Sequence, residues 1–353
     1  MPIPQDKIQK ISFQVIKILF TRFESFPEDA SNNRNAPFHS AFLNAFADKF
    51  DGKVHDIPFF ISLSSWFQGL NTTLGQTFFE NVAHTLSDGE KREYTSKKLG
   101  NLPIARIQKE NANTIITNLS TTQNTPNLDN ENKNLFINDT IDIVSAIDFS
   151  ADVFIDDGTQ ITAIELKSVR PNSGEMRGEK QKILEGKAAL YKKFPDRSIR
   201  FLIGFPFDPT NATSATGFDK QRFLNSIINM TKYFSSDEVL LASELWDYLA
   251  GETSTMEQLL KIINSIATTE FLAKYEFIND HHNKSKNLDL YKQRLKEWNL
   301  HSELELVNND TTIKKIIGSD KNLVKTFNQL VFKDGEYNSN RYNVLSKLLN
   351  NAQ

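Results

Sequence analysis

The chain of 353 residues has no cysteine, which excludes disulfides, thiolate zinc sites and a cysteine nucleophile. Any metal must sit on oxygen or imidazole. The absence fits an oxidising compartment no worse than a reducing one. There is also no run of about eighteen apolar residues, so no membrane-spanning helix is expected. The amino terminus from Met1 to Lys17 mixes charges into a helical pattern, where a signal peptide would be continuously apolar. The expected location is therefore cytoplasmic, with no membrane partner. The chain lacks a surplus of positive charge as well. With 41 Lys and Arg against 44 Asp and Glu, its formal net charge of -3 offers phosphate no general attraction.

What is present is enough apolar matter for a substantial core, at 39% hydrophobic residues, in one large domain or two smaller ones. The charge is unevenly spread. Between Leu166 and Arg200 stand ten basic residues against four acidic ones, a local net of +6. Such a run is ordinarily a solvated helix face, and only its position beside a reactive centre would make it a DNA contact.

Helical spacing of Ile8, Ile11, Val15, Ile16, Ile18, Leu19 and Phe23 predicts an amphipathic helix from Gln5 to Glu24. Asn35 as cap, Pro37 in the first turn and Phe38, Phe42, Phe46 and Phe50 at four-residue intervals predict a second helix with a core-packed aromatic stripe. From Ile61 to Leu86 we expect a turn and a helix capped by Thr72 or Thr73, with Phe78, Phe79, Val82 and Leu86 inward and Glu80 within it. The stretch from Thr121 to Asn138, rich in Asn, Thr and Asp, is expected to be an exposed loop. Strands follow at Ala151 to Ile155, Gln160 to Ser168 and Ile199 to Phe205, with a basic helix from Gly178 to Lys193. Further helices are expected near Asp219 to Tyr233, Ser243 to Leu249, Thr255 to Ile266 and Glu270 to Leu300. There is no solenoid repeat.

The chemistry concentrates around the first two strands. Asp157 and Gly158 suit a two-residue hairpin loop. Counting outward from it, Asp152 faces Ala163 and is a diagonal neighbour of Glu165. Because Ala163, Glu165 and Lys167 alternate onto one face, two carboxylates and an ammonium converge there. A three-residue loop would reverse that facing. Two oxygen-donor carboxylates suit Mg2+, a hard ion that also takes substrate phosphate, and such a centre activates water for in-line attack on a phosphodiester. Lys167 would position or deprotonate that water, or stabilise charge on the phosphate. The competing explanation is a cross-strand salt bridge of Lys167 with Glu165 or Asp152 on a half-exposed sheet. His281 and His282 lie in helical surroundings unsuited to a ββα-metal nuclease, and no Ser and His spacing suggests a triad.

Asp152 followed by Glu165, Leu166 and Lys167 resembles the PD-(D/E)XK nuclease signature, with Ala151 in place of the proline. The run ELKSVRPNSGEMRGEKQKILE from Glu165 to Glu185, with TLGQTFFE from Thr73 to Glu80 and ELWDYLAG from Glu244 to Gly251, resembles Type II restriction endonucleases of the TdeIII-like family. The likeness spans roughly Phe38 to Ile266. It implies an α/β (α+β) fold: a restriction-endonuclease-like core of a mixed central sheet flanked by helices, with additional N- and C-terminal helices. We expect a helical scaffold over residues 1–60, the nuclease core over 61–266 and a helical region of unknown role over 267–353.

The resemblance also implies a function. It is Mg2+-dependent hydrolysis of double-stranded DNA at a short palindromic site, by a homodimer paired with a cognate DNA methyltransferase. The same chemistry would serve a repair, recombination or mobile-element nuclease, and an inert DNA-binding module is the non-enzymatic alternative. Asp152, Glu165 and Lys167 are the expected catalytic residues. Glu80, on a helix before the sheet, is the further metal carboxylate that the superfamily suggests, unless it is an ordinary exposed helical acid. Arg170 and Arg177, in the loop after the strand, and Lys180, Gln181 and Lys182, at the start of the basic helix, are the expected DNA contacts. Glu179 opens the same helix and suits its first turn as an acid.

Overall fold

The computed structural model describes residues 2–28, 37–50, 52–54, 56–121, 124–138, 141–168 and 173–351. Asn35 and Arg170 lie outside them. The chain divides into two compact units: Met1–Ile3 with Phe79–Leu259, and Pro4–Phe78 with Leu260–Gln353. Both boundaries drawn from the sequence, at 60/61 and 266/267, fall inside the second unit.

The first unit is built on a five-stranded sheet. In chain order its strands are β1 (Glu90–Tyr94), β4 (Phe149–Asp156), β5 (Gln160–Leu166), β6 (Ser198–Phe205) and β7 (Val239–Leu241), while β2 (Pro103–Ala105) and β3 (Ile143–Ser145) form a separate antiparallel pair. The spatial order is β1-β4-β5-β6-β7. Pairing is antiparallel from β1 through β5 and parallel from β5 through β7, which makes the sheet mixed. Ile161, Ala163 and Ile164 of β5 and Phe201, Leu202 and Ile203 of β6 are all buried. Burial of consecutive residues is what parallel strands covered on both faces require.

The β4–β5 hairpin differs in register from the expected one. Asp156 pairs with Ile161, so four residues intervene, and Val153 pairs with Ile164. The Asp157 carboxylate explains the wider loop, since it accepts the Thr159 and Gln160 amides at 2.8 and 2.7 Å. Gly158 takes φ +89° there. Adding two residues to the loop preserves the facing. One step beyond Val153, Asp152 stands directly opposite Glu165 rather than diagonal to it.

The basic helix runs over Ser173–Lys193, starting more than a turn earlier than expected. It lies close on the sheet at Gly186, where a Cβ would meet the Phe201 ring at 2.8 Å. Residues 121 to 138 are not all loop. A helix forms over Leu128–Leu135, capped by Asn127 accepting the Asn130 amide at 2.9 Å. Its sequence has no helical periodicity; what holds it is tertiary, through buried Leu135 and Glu131.

In the second unit, the Gln5–Glu24 helix forms as read. The Ile57–Thr73 helix starts at Asp56, whose carboxylate accepts the Phe59 amide at 3.1 Å, and runs into a π-helical turn over Leu74–Phe78. Thr72 and Thr73 are therefore interior, with hydroxyls donating back to Gln68 and Gly69 carbonyls at 3.0 Å, and not caps. The expected single helix is broken: one helix ends at Asn44 and a short second one runs over Ala47–Phe50, with Phe42 and Phe46 exposed and Phe50 half-buried. Where one helix was expected from Glu270 to Leu300 there are three, Phe271–Asn279, His281–Lys286 and Leu288–Glu297, because Asp280 and Asn287 cap new starts. No helix among the described residues is long and apolar enough to cross a membrane.

Candidate active site

The site grows from the β4–β5 ladder. Asp152 is buried, and its Oδ2 accepts the Leu166 amide at 2.9 Å. Glu165 is held by the Ser150 hydroxyl, 3.3 Å from Oε2, and by Lys167 Nζ, 3.1 Å from Oε1. Lys167 extends the parallel ladder by one bond, its amide donating to the Gly204 carbonyl at 2.9 Å.

Two helices bring further carboxylates. Glu80 lies in the first turn of the Phe79–Ser87 helix, whose Val82, Ala83 and Leu86 are buried. One turn on, His84 Nε2 lies 2.6 Å from the Asp152 carbonyl oxygen and fastens that helix to β4. The Ser173–Lys193 helix places Glu179 against Lys167 at 3.3 Å, and its early start adds Glu175 at 3.7 Å.

Lys91, unnoticed in the sequence, joins Glu80 to Asp152. Its Nζ lies 3.1 Å from both Glu80 oxygens and 3.1 Å from Asp152 Oδ1. The register explains its aim. Glu90 pairs with Phe154 but Arg92 with Ala151, so Asp152 and Val153 together stand opposite the single Lys91. Such a bulge turns side chains out of strict alternation. The strand itself, Glu-Lys-Arg-Glu-Tyr, escaped notice because it carries four charges; it is the sheet edge, where charge is favoured.

The centre is therefore two carboxylate–ammonium–carboxylate groups side by side, Glu80–Lys91–Asp152 and Glu165–Lys167–Glu179, with Asp152 next to Glu165. Burial, and then the Asp152 charge, push the Glu165 carboxyl up to about 7 against the pull of Lys167. Burial works against the Lys167 ammonium, but Glu165, Glu179 and Glu175 outweigh it and its pKa is raised. Glu80 is raised by burial despite Lys91. Among the described residues no three His, Asp or Glu side chains gather closely enough to hold a metal ion by themselves. Even so, the donor set suits a hard divalent ion. It is all oxygen, carries more negative than positive charge, and includes a carboxyl whose ionisation burial and the Asp152 charge disfavour even beside Lys167.

The expected DNA contacts separate. Arg177 and Lys182 are exposed, Lys182 pairing with Glu179 at 3.0 Å. Gln181 is half-buried and donates to Asn113 and Glu185, both at 3.2 Å. Lys180 is turned inward, away from solvent. It is fully buried, donating to Glu131 at 2.6 Å and to both Glu238 oxygens at 2.8 and 2.7 Å. An ammonium held by two buried carboxylates cannot reach a phosphate. Lys187 is buried on Glu238 as well, at 3.2 Å, so the +6 of this segment overstates the charge it presents to solvent.

A model of the family described as Type II restriction endonuclease, HinfI, matches residues 3–267. The Type II restriction enzyme MjaII of Methanocaldococcus jannaschii is 40% identical over an alignment of 371 residues, covering 99% of this chain and 97% of that protein. The likeness to TdeIII-like enzymes stays a resemblance; the family named by the match is the HinfI one.

Proposed function

Since the chain belongs to the HinfI family of Type II restriction endonucleases and is a site-specific deoxyribonuclease, we propose that its phosphodiester hydrolysis takes place at Asp152, Glu165 and Lys167. The observation that carries this reading is the register of β4 on β5. One step beyond the Val153–Ile164 pair it sets buried Asp152 opposite half-buried Glu165, with Lys167 on Glu165 at 3.1 Å. Even paired with Lys91 and Lys167, two carboxylates side by side repel each other, and a divalent cation between them would relieve that repulsion.

Asp152 and Glu165, with Glu80, would hold Mg2+. When bound, that ion supplies Lewis acidity toward the scissile phosphate and lowers the pKa of water. The remaining work belongs to the chain. Lys167, kept cationic by its carboxylates, acts as a hydrogen-bond donor to the attacking water or to a phosphate oxygen and not as the base. The water oxygen forms a bond to phosphorus as the opposite phosphorus–oxygen bond breaks; the water proton passes to solvent or to a nearby oxygen base, and the departing sugar oxygen takes a proton from solvent to leave as a hydroxyl. The Leu166 amide fixes Asp152 Oδ2 and with it the orientation of the carboxylate, leaving Oδ1 the more open of the two oxygens. Arg177 and Lys182 contact the DNA backbone, together with Arg170.

The substrate is double-stranded DNA carrying a short palindrome, met by a homodimer whose two-fold axis matches the site. The enzyme works in the cytoplasm beside a methyltransferase that protects host DNA. Plasmid digestion in Mg2+ tests the reading: discrete fragments are expected from the wild type and none from Asp152→Asn, Glu165→Gln or Lys167→Ala. Full cleavage by all three variants would remove the assignment. Sedimentation of the DNA complex tests the dimer, and one chain per cleaved duplex would exclude it.

A further inference from the structure

Asp152 Oδ2 is engaged by the Leu166 amide at 2.9 Å, so the remaining oxygen, Oδ1, is the one more open to a cation. Lys91 Nζ already lies 3.1 Å from that remaining oxygen and 3.1 Å from both oxygens of Glu80. A divalent ion bound to oxygen at about 2.1 Å cannot share this position with an ammonium, on grounds of volume and of charge. We infer that Lys91 is a resident counter-ion, which holds Glu80 and Asp152 together without metal and must be displaced before a divalent cation can use Asp152 Oδ1. The inference rests on the metal centre proposed above and deepens it.

Three features favour displacement over a permanent salt bridge. Lys91 sits on β1, the sheet edge, so its side chain can swing outward without breaking a central ladder. Its side chain is 36% exposed, against 16% for Glu80 and 10% for Asp152, so the ammonium lies nearest to water of the three. The bulge that opposes Asp152 and Val153 to Lys91 aims it there by register alone. A device of this kind keeps the carboxylates from repelling one another in the free enzyme. It also sets the divalent-ion concentration at which the centre loads.

The test is Mn2+ binding to the full-length, chelator-treated protein without DNA, read from loss of the free-ion paramagnetic resonance signal. Lys91→Met and Lys91→Gln should bind Mn2+ roughly tenfold or more tightly than wild type, since each removes a competing unit charge at contact distance. Lys91→Arg should bind no more tightly than wild type. A purely structural salt bridge predicts a lower melting temperature with unchanged affinity, and equal or weaker Mn2+ binding by both neutral variants would overturn the inference. If no form of the protein binds Mn2+ at all, the metal centre itself fails, and the inference with it. Should the neutral variants not fold, acylation of Lys91 in the wild type, followed by mass spectrometry, decides. Mn2+ should speed its labelling, and unchanged or slower labelling would overturn the displacement.

Discussion

Asp152, midway along β4, is joined to Leu166, the last residue of β5, its Oδ2 accepting the Leu166 amide at 2.9 Å. The carboxylate thus has two duties, one oxygen holding the hairpin and the other facing the site. Asp152→Asn can keep the first, because its amide oxygen still accepts, and loses the second. Cleavage should fall by orders of magnitude with little change in melting temperature. Asp152→Ala should lose cleavage and also about 1–3 kcal/mol of stability, the cost of leaving a buried amide unsatisfied. Thermal melts beside a cleavage assay separate the two duties; equal stability of the variants would show that the Leu166 bond does nothing for the fold.

Glu165 predicts a pH dependence. Its carboxyl is raised in the folded state from 4.5 to about 7. As pH rises through that window the unfolded chain gives up the proton first, so the folded state holds more protons and stability falls. The metal-free protein should therefore be most favoured by this group below pH 4.5 and should have lost its contribution above about 7. Melts in chelator across this range should slope less for Glu165→Gln than for wild type. Parallel profiles would contradict the burial argument.

Lys167 is surrounded by Glu165, Glu179 and Glu175 at 3.1, 3.3 and 3.7 Å. Lys167→Ala should still bind target DNA through exposed Arg177 and Lys182, and should not cut. Lys167→Arg, which restores charge but not the shape of the donor, should recover binding geometry only in part. Gel shift in Ca2+ and cleavage in Mg2+ on the same preparations check this. Robust cutting by the alanine variant would end the role assigned to Lys167.

Lys180 and its exposed neighbours should behave oppositely. Lys180→Ala leaves Glu131 and Glu238 buried without their shared cation, at a cost of about 3–5 kcal/mol, so any loss of DNA binding should follow loss of fold. Arg177→Ala and Lys182→Ala should leave stability within about 0.5 kcal/mol. Each should lower DNA affinity and reduce the salt slope by roughly one. Calorimetry with salt-dependent binding distinguishes them; a stable Lys180→Ala that merely binds DNA less well would put Lys180 at the interface.

The readable parts of the sequence were those governed by local period. Alternation across Ile161 to Lys167 put Glu165 and Lys167 on one face, and the same parity put Asp152 on it even though the loop proved two residues longer. Glu80 was accessible only through resemblance, since nothing in a lone helical acid says what it will meet. β1 was missed for a related reason: an edge strand covered on neither side by an apolar pattern shows no alternation of hydrophobicity. The Leu128–Leu135 helix was missed because its stability comes from contacts far along the chain.

The sequence by itself determined that Glu165 and Lys167 share one strand face, because strand geometry alternates side chains with a period of two regardless of what surrounds them; the even length of the hairpin loop then placed Asp152 on that face. Tertiary structure alone decided that Lys91 would bridge Glu80 and Asp152, that Glu175 and Glu179 would reach Lys167, and that Lys180 would be buried on Glu131 and Glu238. Charge along a chain does not say whether a side chain meets water or another charge. That depends on which distant segment packs over it, and low dielectric then makes the pairing obligatory.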